Sequence, residues 1–191
     1  MNTFQVPIGV SNRHLHLSLE DIEALFGEGY TLSKKKDLSQ PGQFACEETV
    51  TIVGPKGSIG GVRILGPARK ESQVELALTD AFKLGLQIPV RDSGNLENTP
   101  GIEIINGDRK ISLKRGVIAA MRHIHLSVED AQKYGLKDKD IVKVSVDSPR
   151  GGEFNNVLVR VSPNYALDFH IDTDEANAFG LRNGDIATVI Y

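Results

Sequence analysis

Apolar and polar residues alternate in short runs along much of the chain, which is the pattern of half-buried strands. The run TVTIV at 49–53 is followed by the turn GPKG and then by GGVRIL, so 49–65 predicts a β-hairpin. IEII, Asn106-Gly107 and RKISL predict a second hairpin, because Asn-Gly favours a tight turn. Further strands are predicted at 141–146, 157–162 and 186–191. This series of short strands favours β-barrels capped by a few short helices.

The clearest helical pattern lies at residues 72–84. Its apolar residues recur at i, i+3, i+4, i+7 and i+8, the spacing of one buried helical stripe. They are Val74, Ala77, Leu78, Ala81 and Phe82. We therefore predict a single helix over 72–84.

The chain also contains an internal repeat. RHLHLSLED at 13–21 recurs as RHIHLSVED at 122–130, and a fainter third copy aligns 170–186 with 125–141. Each copy predicts a strand end, a histidine, a helix start, a short helix and then the next strand. All five histidines of the chain belong to this element. The helix starts are Ser18, Ser127 and Asp172 or Thr173, and Gly135 and Gly180 are predicted helix ends.

Composition narrows the functional classes. The net charge of −3 gives no sign of a basic nucleic-acid-binding surface. No apolar run reaches the length of a membrane span, and MNTFQVPIGV lacks the features of a secretory signal. Cys46 is the only cysteine, which excludes an internal disulfide or a cysteine-based zinc cluster and fits a reducing cytoplasm. We expect Cys46 to be a small core residue.

The paired histidines predict a metal site. In an extended segment residues i and i+2 point to the same side, so His14 and His16 share one face of their strand. His123 and His125 repeat this arrangement, and His170 aligns with the second histidine of each pair. Local hydrogen bonding beside the helix starts is the alternative, but repetition of the pattern favours metal binding.

Catalytic zinc commonly has three protein ligands, and five histidines supply one set of three and one pair. We expect a carboxylate to complete the pair, and Glu75 is a candidate. Ser72 and Glu75 also have the spacing of a helix capping box, which is the alternative role for Glu75. Arg69 precedes the predicted helix, where a guanidinium beside free backbone N–H groups would bind phosphate. Its alternative is an ordinary surface arginine.

Several longer phrases together resemble the PduL-type phosphate propanoyltransferases, also called phosphotransacylases. The resemblance extends from near the first residue to near the last. The phrases are VSNRHLHLS (10–18), LSQPGQFACEETV (38–50), GPARKESQVE (66–75), PVRDSG (89–94), RGVIAAMRHIHLS (115–127), GLKDKD (135–140) and HIDTDEANA (170–178).

The resemblance implies a mainly β fold with two β-barrel domains, short capping α-helices and metal sites in the cleft between the barrels. Residues 1–12 plus 121–191 would form one discontinuous barrel. Residues 13–120, with the 72–84 helix, would form the other. The family also implies a homodimer and a cytoplasmic enzyme, or one enclosed in a bacterial microcompartment. Enclosed members carry an N-terminal extension, whereas ten residues precede Ser11 here, so none is evident.

The resemblance also implies site residues. One zinc ion would be held by His14, His16 and Glu75, and a second by His123, His125 and His170. Arg69 would be the catalytic residue that positions phosphate. Ser11 matches an active-site position, and coenzyme A would bind near the subunit interface. Lys36 and Phe82 are candidates for its phosphates and adenine, with a solvated charge run and a core aromatic as their alternatives.

The implied reaction converts a short-chain acyl-CoA, acetyl- or propanoyl-CoA, and phosphate into acyl phosphate and CoA. Neither nucleic acid nor a membrane is an expected partner. A dinuclear zinc hydrolase acting on a thioester, amide or phosphoester is an alternative, because H-x-H pairs also serve such enzymes. A structural or metal-storing barrel is the non-enzymatic alternative.

Overall fold

The computed structural model describes residues 2–191, which divide into two compact units. The first unit combines the N-terminal strand with Ser39–Pro41 and Met121–Tyr191, and the second contains Asn12–Leu38 and Gly42–Ala120. Gln40 ties its short segment to the first unit, because its side chain donates to the Ala166 carbonyl at 3.0 Å and accepts from the Ala166 N–H at 3.2 Å.

Short strands predominate in both units, with four helices of seven or eight residues among residues 2–191. In chain order the elements are β1 (Thr3–Ser11), β2 (His14–His16), α1 (Leu19–Phe26), β3 (Lys34–Asp37), β4 (Phe44–Gly54), β5 (Gly57–Gly66), β6 (Gln73–Glu75), α2 (Leu78–Leu84), β7 (Val90–Arg91), β8 (Ile102–Asn106), β9 (Arg109–Leu113), β10 (Val117–Ala120), β11 (His123–Leu126), α3 (Val128–Tyr134), β12 (Ile141–Val146), β13 (Gly152–Val161), β14 (Asp168–Asp172), α4 (Thr173–Phe179) and β15 (Ile186–Ile190).

The first unit is a closed barrel with the strand order β1-β14-β11-β13-β12-β15, and β15 pairs back to β1. Alternate residues of each strand enter its core, as Val142, Val144 and Val146 do on β12. Phe154 and Phe169 fill the interior and meet edge to face at 5.5 Å. The strands predicted at 141–146, 157–162 and 186–191 are confirmed as β12, the second half of β13 and the whole of β15.

The second unit is a nine-stranded sheet with the order β7-β10-β6-β2-β5-β4-β8-β9 and with β3 paired to β4. It is curled into half a barrel, so the predicted mainly β fold of two barrel-type domains with short helices is confirmed. Both predicted hairpins are also confirmed, as β4–β5 and β8–β9. Cys46 is fully buried in this core as expected, and burial raises the pKa of its thiol to about 11.

The recurring element forms as predicted. The side chains of Ser18, Ser127 and Asp172 each accept a hydrogen bond from a backbone N–H in the first turn of α1, α3 and α4. Gly135 and Gly180 end α3 and α4 in the left-handed conformation, with φ of 68° and 66°. In each copy the last histidine therefore lies at the same distance along the chain before the N-cap residue of the following helix.

The single helix predicted at 72–84 is confirmed only over Leu78–Leu84, and its first half is wrong. Residues Gln73–Glu75 form β6, and the helix begins only at Leu78. Val74 pairs with Leu15 on one side and Val117 on the other, so burial within the sheet overrides the helical spacing. Of the predicted buried stripe, Leu78 and Phe82 are 52% and 80% exposed.

Two further predictions that depended on this helix are also wrong. The Ser72–Glu75 capping box does not form, because the N-cap residue of α2 is Ala77. Arg69 does not precede a helix N-terminus either. Its backbone N–H instead donates to the Leu17 carbonyl at 2.9 Å, just after the first histidine pair. Within residues 2–191, no helix has the length and apolar character needed to cross a bilayer.

Candidate metal centres

A group that we call the histidine–glutamate cluster lies in the second unit and consists of His14, His16 and Glu75. β2 carries both histidines, and the neighbouring β6 brings Glu75 into register with His14. One ligand atom from each of the three residues lies within 4.8 Å of the others. Both histidines are buried, and the Glu75 side chain is 11% exposed. Strand pairing therefore assembles the set that the sequence left incomplete.

Hydrogen bonding fixes the two imidazoles of this cluster. His14 Nδ1 lies 2.8 Å from the Asn12 carbonyl, which can only accept, so Nδ1–H donates and Nε2 retains a lone pair. That Nε2 lies 3.4 Å from Glu75 Oε2. Two acceptors at this distance repel unless a cation or a proton lies between them. His16 bonds to the Leu65 backbone, while its buried Nδ1 has no partner among residues 2–191.

The charges of the histidine–glutamate cluster suit metal binding. Burial lowers the pKa of His16 to about 3, with His14 and Arg69 adding to the effect. Burial alone would raise the pKa of Glu75. The pKa is nevertheless lowered to about 2 by the charges of His14, His16 and Arg69 and by a hydrogen bond from Ser93. At neutral pH the cluster therefore contains an unprotonated imidazole and an ionised carboxylate, which are the ligand forms of these groups.

Two residues beside this cluster were missed by sequence reasoning. Ser93 Oγ donates to Glu75 Oε1 at 2.9 Å and lies 3.5 Å from an Arg69 guanidinium nitrogen. Gln73 donates to Ser93 Oγ at 2.9 Å and accepts from the Gly94 backbone at 2.9 Å. Ser93 thus lies next to both Arg69 and Glu75. Its phrase PVRDSG was part of the family resemblance, but nothing local indicated which side chain it would meet.

The second group, the triple-histidine cluster, lies in the first unit and consists of His123, His125 and His170. β11 carries His123 and His125, and β14 pairs antiparallel so that His170 is opposite His123. Their ligand atoms also lie within 4.8 Å of one another. His123 Nδ1 donates to the Met121 carbonyl at 2.8 Å, which repeats the bond of His14. Burial lowers the pKa of His125, and its buried Nδ1 has no partner within 2–191.

Asp168 accompanies the triple-histidine cluster and was also missed. Its Oδ2 accepts a hydrogen bond from His170 Nε2 at 2.9 Å, and the residue is 4% exposed. The sequence did contain a signal. The alignment that matches His170 with His125 places Asp168 at the position of His123, so D-F-H replaces H-I-H in the third copy.

Both clusters fit a divalent metal ion such as zinc. Each offers three imidazole or carboxylate ligands, and each contains a buried ring nitrogen that lacks a hydrogen-bond partner within the described residues. The structure brings together all six predicted ligands in the two predicted sets. That these sets bind metal stays a prediction.

The other predicted site residues are placed as follows. Ser11 ends β1, is half-buried and lies opposite Asp172 on β14. Lys36 is exposed on β3, as a solvated charge run would be. Phe82 is 80% exposed on α2, so its alternative role as a core aromatic is wrong. Arg69 lies at the histidine–glutamate cluster, where its charge acts on His16 and Glu75.

Comparison with known proteins identifies a family. The sequence model of the family described as phosphate propanoyltransferase matches residues 7–182. A phosphate propanoyltransferase of Thermotoga maritima is 60% identical over 184 residues, which cover 96% of this chain and 88% of that protein. Proteins of the same name from Salmonella typhimurium and Enterococcus faecalis are 53% and 52% identical over 93% and 96% of the chain and 85% and 86% of their own length.

Proposed function

The chain is an enzyme of the phosphate propanoyltransferase family, and we propose that it exchanges a short acyl group, propanoyl or acetyl, between coenzyme A and inorganic phosphate. The observation that carries this proposal is the meeting of His14, His16 and Glu75 with the cation of Arg69 in one unit. A phosphate substrate needs both a positive charge and an orienting group, and this arrangement offers them.

In the proposed reaction a phosphate oxygen forms a bond to the thioester carbonyl carbon, and the carbon–sulfur bond breaks. Coenzyme A leaves as a thiolate and takes up the proton that phosphate gives up. His14, His16 and Glu75 would hold one zinc ion, and His123, His125 and His170 another. Bound zinc would supply a Lewis acid for a carbonyl or phosphate oxygen and a partner for the departing sulfur.

Arg69 is proposed to orient phosphate. Its guanidinium can donate two parallel hydrogen bonds to phosphate oxygens and offset their charge. Its backbone bond to Leu17 and the nearby hydroxyl of Ser93 hold the arginine beside the histidine–glutamate cluster. Orientation of this kind lowers the barrier because the attacking oxygen is already aligned with the carbonyl carbon.

We also propose that the enzyme is a homodimer that binds coenzyme A through Lys36 and Phe82, with Ser11 near the reacting groups. The exposed ammonium of Lys36 suits phosphate groups, and the exposed ring of Phe82 suits adenine stacking. Light scattering on the purified chain tests the dimer, and a rise in the KM for the acyl-CoA in Lys36→Ala and Phe82→Ala tests the contacts. A monomer, or unchanged KM values, would contradict these assignments.

The decisive experiment compares Arg69→Ala with Arg115→Ala, a matched control whose arginine pairs with Glu71 at the surface. Thiol release from propanoyl-CoA is followed with and without phosphate, and bound zinc is measured by mass spectrometry. We expect Arg69→Ala to keep its zinc and lose on the order of 100-fold in phosphate-dependent release. Turnover like that of the unmodified enzyme in this variant would refute the role of Arg69. Thiol release that needs no phosphate would instead indicate a hydrolase.

A further inference from the structure

We infer that Asp168 is a positioning residue, which holds the His170 ring so that it presents Nδ1 to a metal ion. This inference rests on the proposed metal site at the triple-histidine cluster and deepens it. Asp168 lies beside the cluster but is not one of its three members.

The hydrogen bond between the two residues sets the tautomer of His170. Asp168 Oδ2 lies 2.9 Å from His170 Nε2, and a carboxylate oxygen accepts, so Nε2–H is the donor. A neutral ring that donates through Nε2 keeps its lone pair on Nδ1. Asp168 itself is 4% exposed, and a carboxylate buried to this degree requires a partner. The partner that the structure provides is the imidazole of a candidate metal ligand.

The repeat gives an independent reason for this role. In the first two copies the leading histidine is held by a backbone carbonyl two residues earlier, as His14 is by Asn12 and His123 by Met121. In the third copy Asp168 replaces that leading histidine, and its carboxylate holds the following histidine instead. This copy therefore contributes one ligand and one group that orients it, rather than two ligands.

Gly9 provides the space for this pair. It lies opposite His170 on the neighbouring strand β1. A Cβ at Gly9 would lie 2.7 Å from His170 Cδ2, closer than real Cβ atoms come, and 3.1 Å from Asp168 Oδ2, which is a tight contact. A side chain at position 9 would therefore require the His170 ring to shift from the position in which it bonds Asp168. The fold keeps the strand next to the His170–Asp168 pair free of a side chain.

A carboxylate behind a metal-bound histidine fixes the ring and raises its basicity, and its loss typically weakens metal binding by about 10- to 100-fold. The test uses the full chain carrying His14→Ala and His16→Ala, so that only the triple-histidine cluster is loaded. Zinc affinity is measured by competition with a chromophoric chelator, without any activity assay. We expect Asp168→Ala to bind zinc about 10- to 100-fold more weakly, and Asp168→Asn to lose less because its amide oxygen still accepts.

Gly9→Ala should also weaken zinc binding, although it leaves the residue at position 168 unchanged. Asp147→Ala, an exposed acid of the same unit, is the matched control and should bind zinc like the parent. Cobalt loaded in place of zinc reports the ligands directly, because its visible absorption depends on the coordinating atoms. We expect the same band positions in the parent and in Asp168→Asn, since Asp168 is outside the ligand set.

Unchanged zinc affinity in both Asp168 variants would overturn the inference. Shifted cobalt bands would also overturn it, because they would make Asp168 a ligand. A parent that binds no zinc would instead refute the proposed metal site, and the inference with it. Thermal unfolding of the metal-free variants checks that each is folded. If Asp168→Ala does not fold, the nearly isosteric Asp168→Asn decides the outcome.

Discussion

The two clusters share the same H-x-H strand end but differ in their third candidate ligand. Glu75 completes the pair on β2, whereas His170 completes the pair on β11. In both, the leading histidine is fixed by a carbonyl two residues earlier at 2.8 Å, and the following histidine has a buried Nδ1 without a partner within 2–191. The repeat therefore supplies the first two candidate ligands, and the neighbouring strand supplies the third.

The identity of the third candidate ligand would change the net charge of a metal-loaded cluster. A divalent ion bound by two imidazoles and a carboxylate would keep a net charge of about +1, whereas three imidazoles would leave about +2. The lower charge would belong to the cluster on which Arg69 also acts. At the triple-histidine cluster the carboxylate of Asp168 is hydrogen-bonded to the candidate ligand His170 and is not one of the three clustered residues. The same H-x-H motif therefore lies in two different electrostatic environments, and residues outside the motif make the difference.

The largest effect is expected from removing the carboxylate. Glu75→Ala should lose the zinc of the histidine–glutamate cluster and reduce phosphate-dependent thiol release by about 1,000-fold, because metal and Arg69 orientation fail together. Glu71→Ala removes an exposed acid four residues earlier and should change neither property. Zinc per chain, measured by mass spectrometry, should fall from two to one in Glu75→Ala. Two retained zinc ions would contradict this assignment.

A smaller effect is expected from making the two clusters alike. Glu75→His should still bind zinc but remove the negative charge that offsets Arg69. We expect kcat/KM to fall by about 10- to 100-fold, because one unit of charge near a partly buried site is worth a few kcal/mol at most. Full activity in this variant would show that the charge difference between the clusters has no role. Zinc content, measured in the same variant, shows whether any loss of activity comes from loss of the metal ion.

Ser93→Ala should have a milder effect. It removes the hydroxyl that donates to Glu75 and lies beside Arg69, and a lost hydrogen bond of this kind costs about 1 kcal/mol, or roughly fivefold in kcat/KM. Ser112→Ala, on an exposed strand position of the same unit, is the matched control. A loss as large as that of Arg69→Ala would mean that Ser93 contacts the substrate directly.

The last prediction concerns the stability of the metal-free protein rather than the rate of the reaction. Burial lowers the pKa of His16 to about 3, so the unfolded chain binds more protons than the folded chain between about pH 3 and 6.5. Stability should therefore fall as pH drops below 6.5, by about 2 kcal/mol per such histidine at pH 5. His125 shifts in the same direction. Denaturant unfolding of chelated protein at pH 7 and 5 measures the change, and His16→Asn or His125→Asn should reduce it. A flat profile would contradict buried neutral histidines.

Local signals explain what the sequence predicted well. Asn106-Gly107 determined a hairpin, and Ser127 with Gly135 determined both ends of α3, because each acts within a few residues. The i, i+2 spacing of His14 and His16 likewise determined a shared face. These features need no knowledge of the rest of the chain.

Other features depend on contacts between distant segments. Val74 has helical spacing but becomes a strand residue, because Leu15 and Val117 lie on either side of it. Ser93 meets Glu75, and Gly9 makes room for Asp168, only after strands from separate parts of the chain have paired. The sequence could place the candidate ligands on the same face of a strand, but the residues that contact their outer atoms could be identified only from the tertiary structure.

The most direct test is the rate of phosphate-dependent thiol release from propanoyl-CoA after chelation, before and after zinc is returned. Two catalytic zinc sites predict that the stripped enzyme is inactive and that activity returns as zinc rises towards two ions per chain. A stripped enzyme that releases thiol at its original rate would contradict the account.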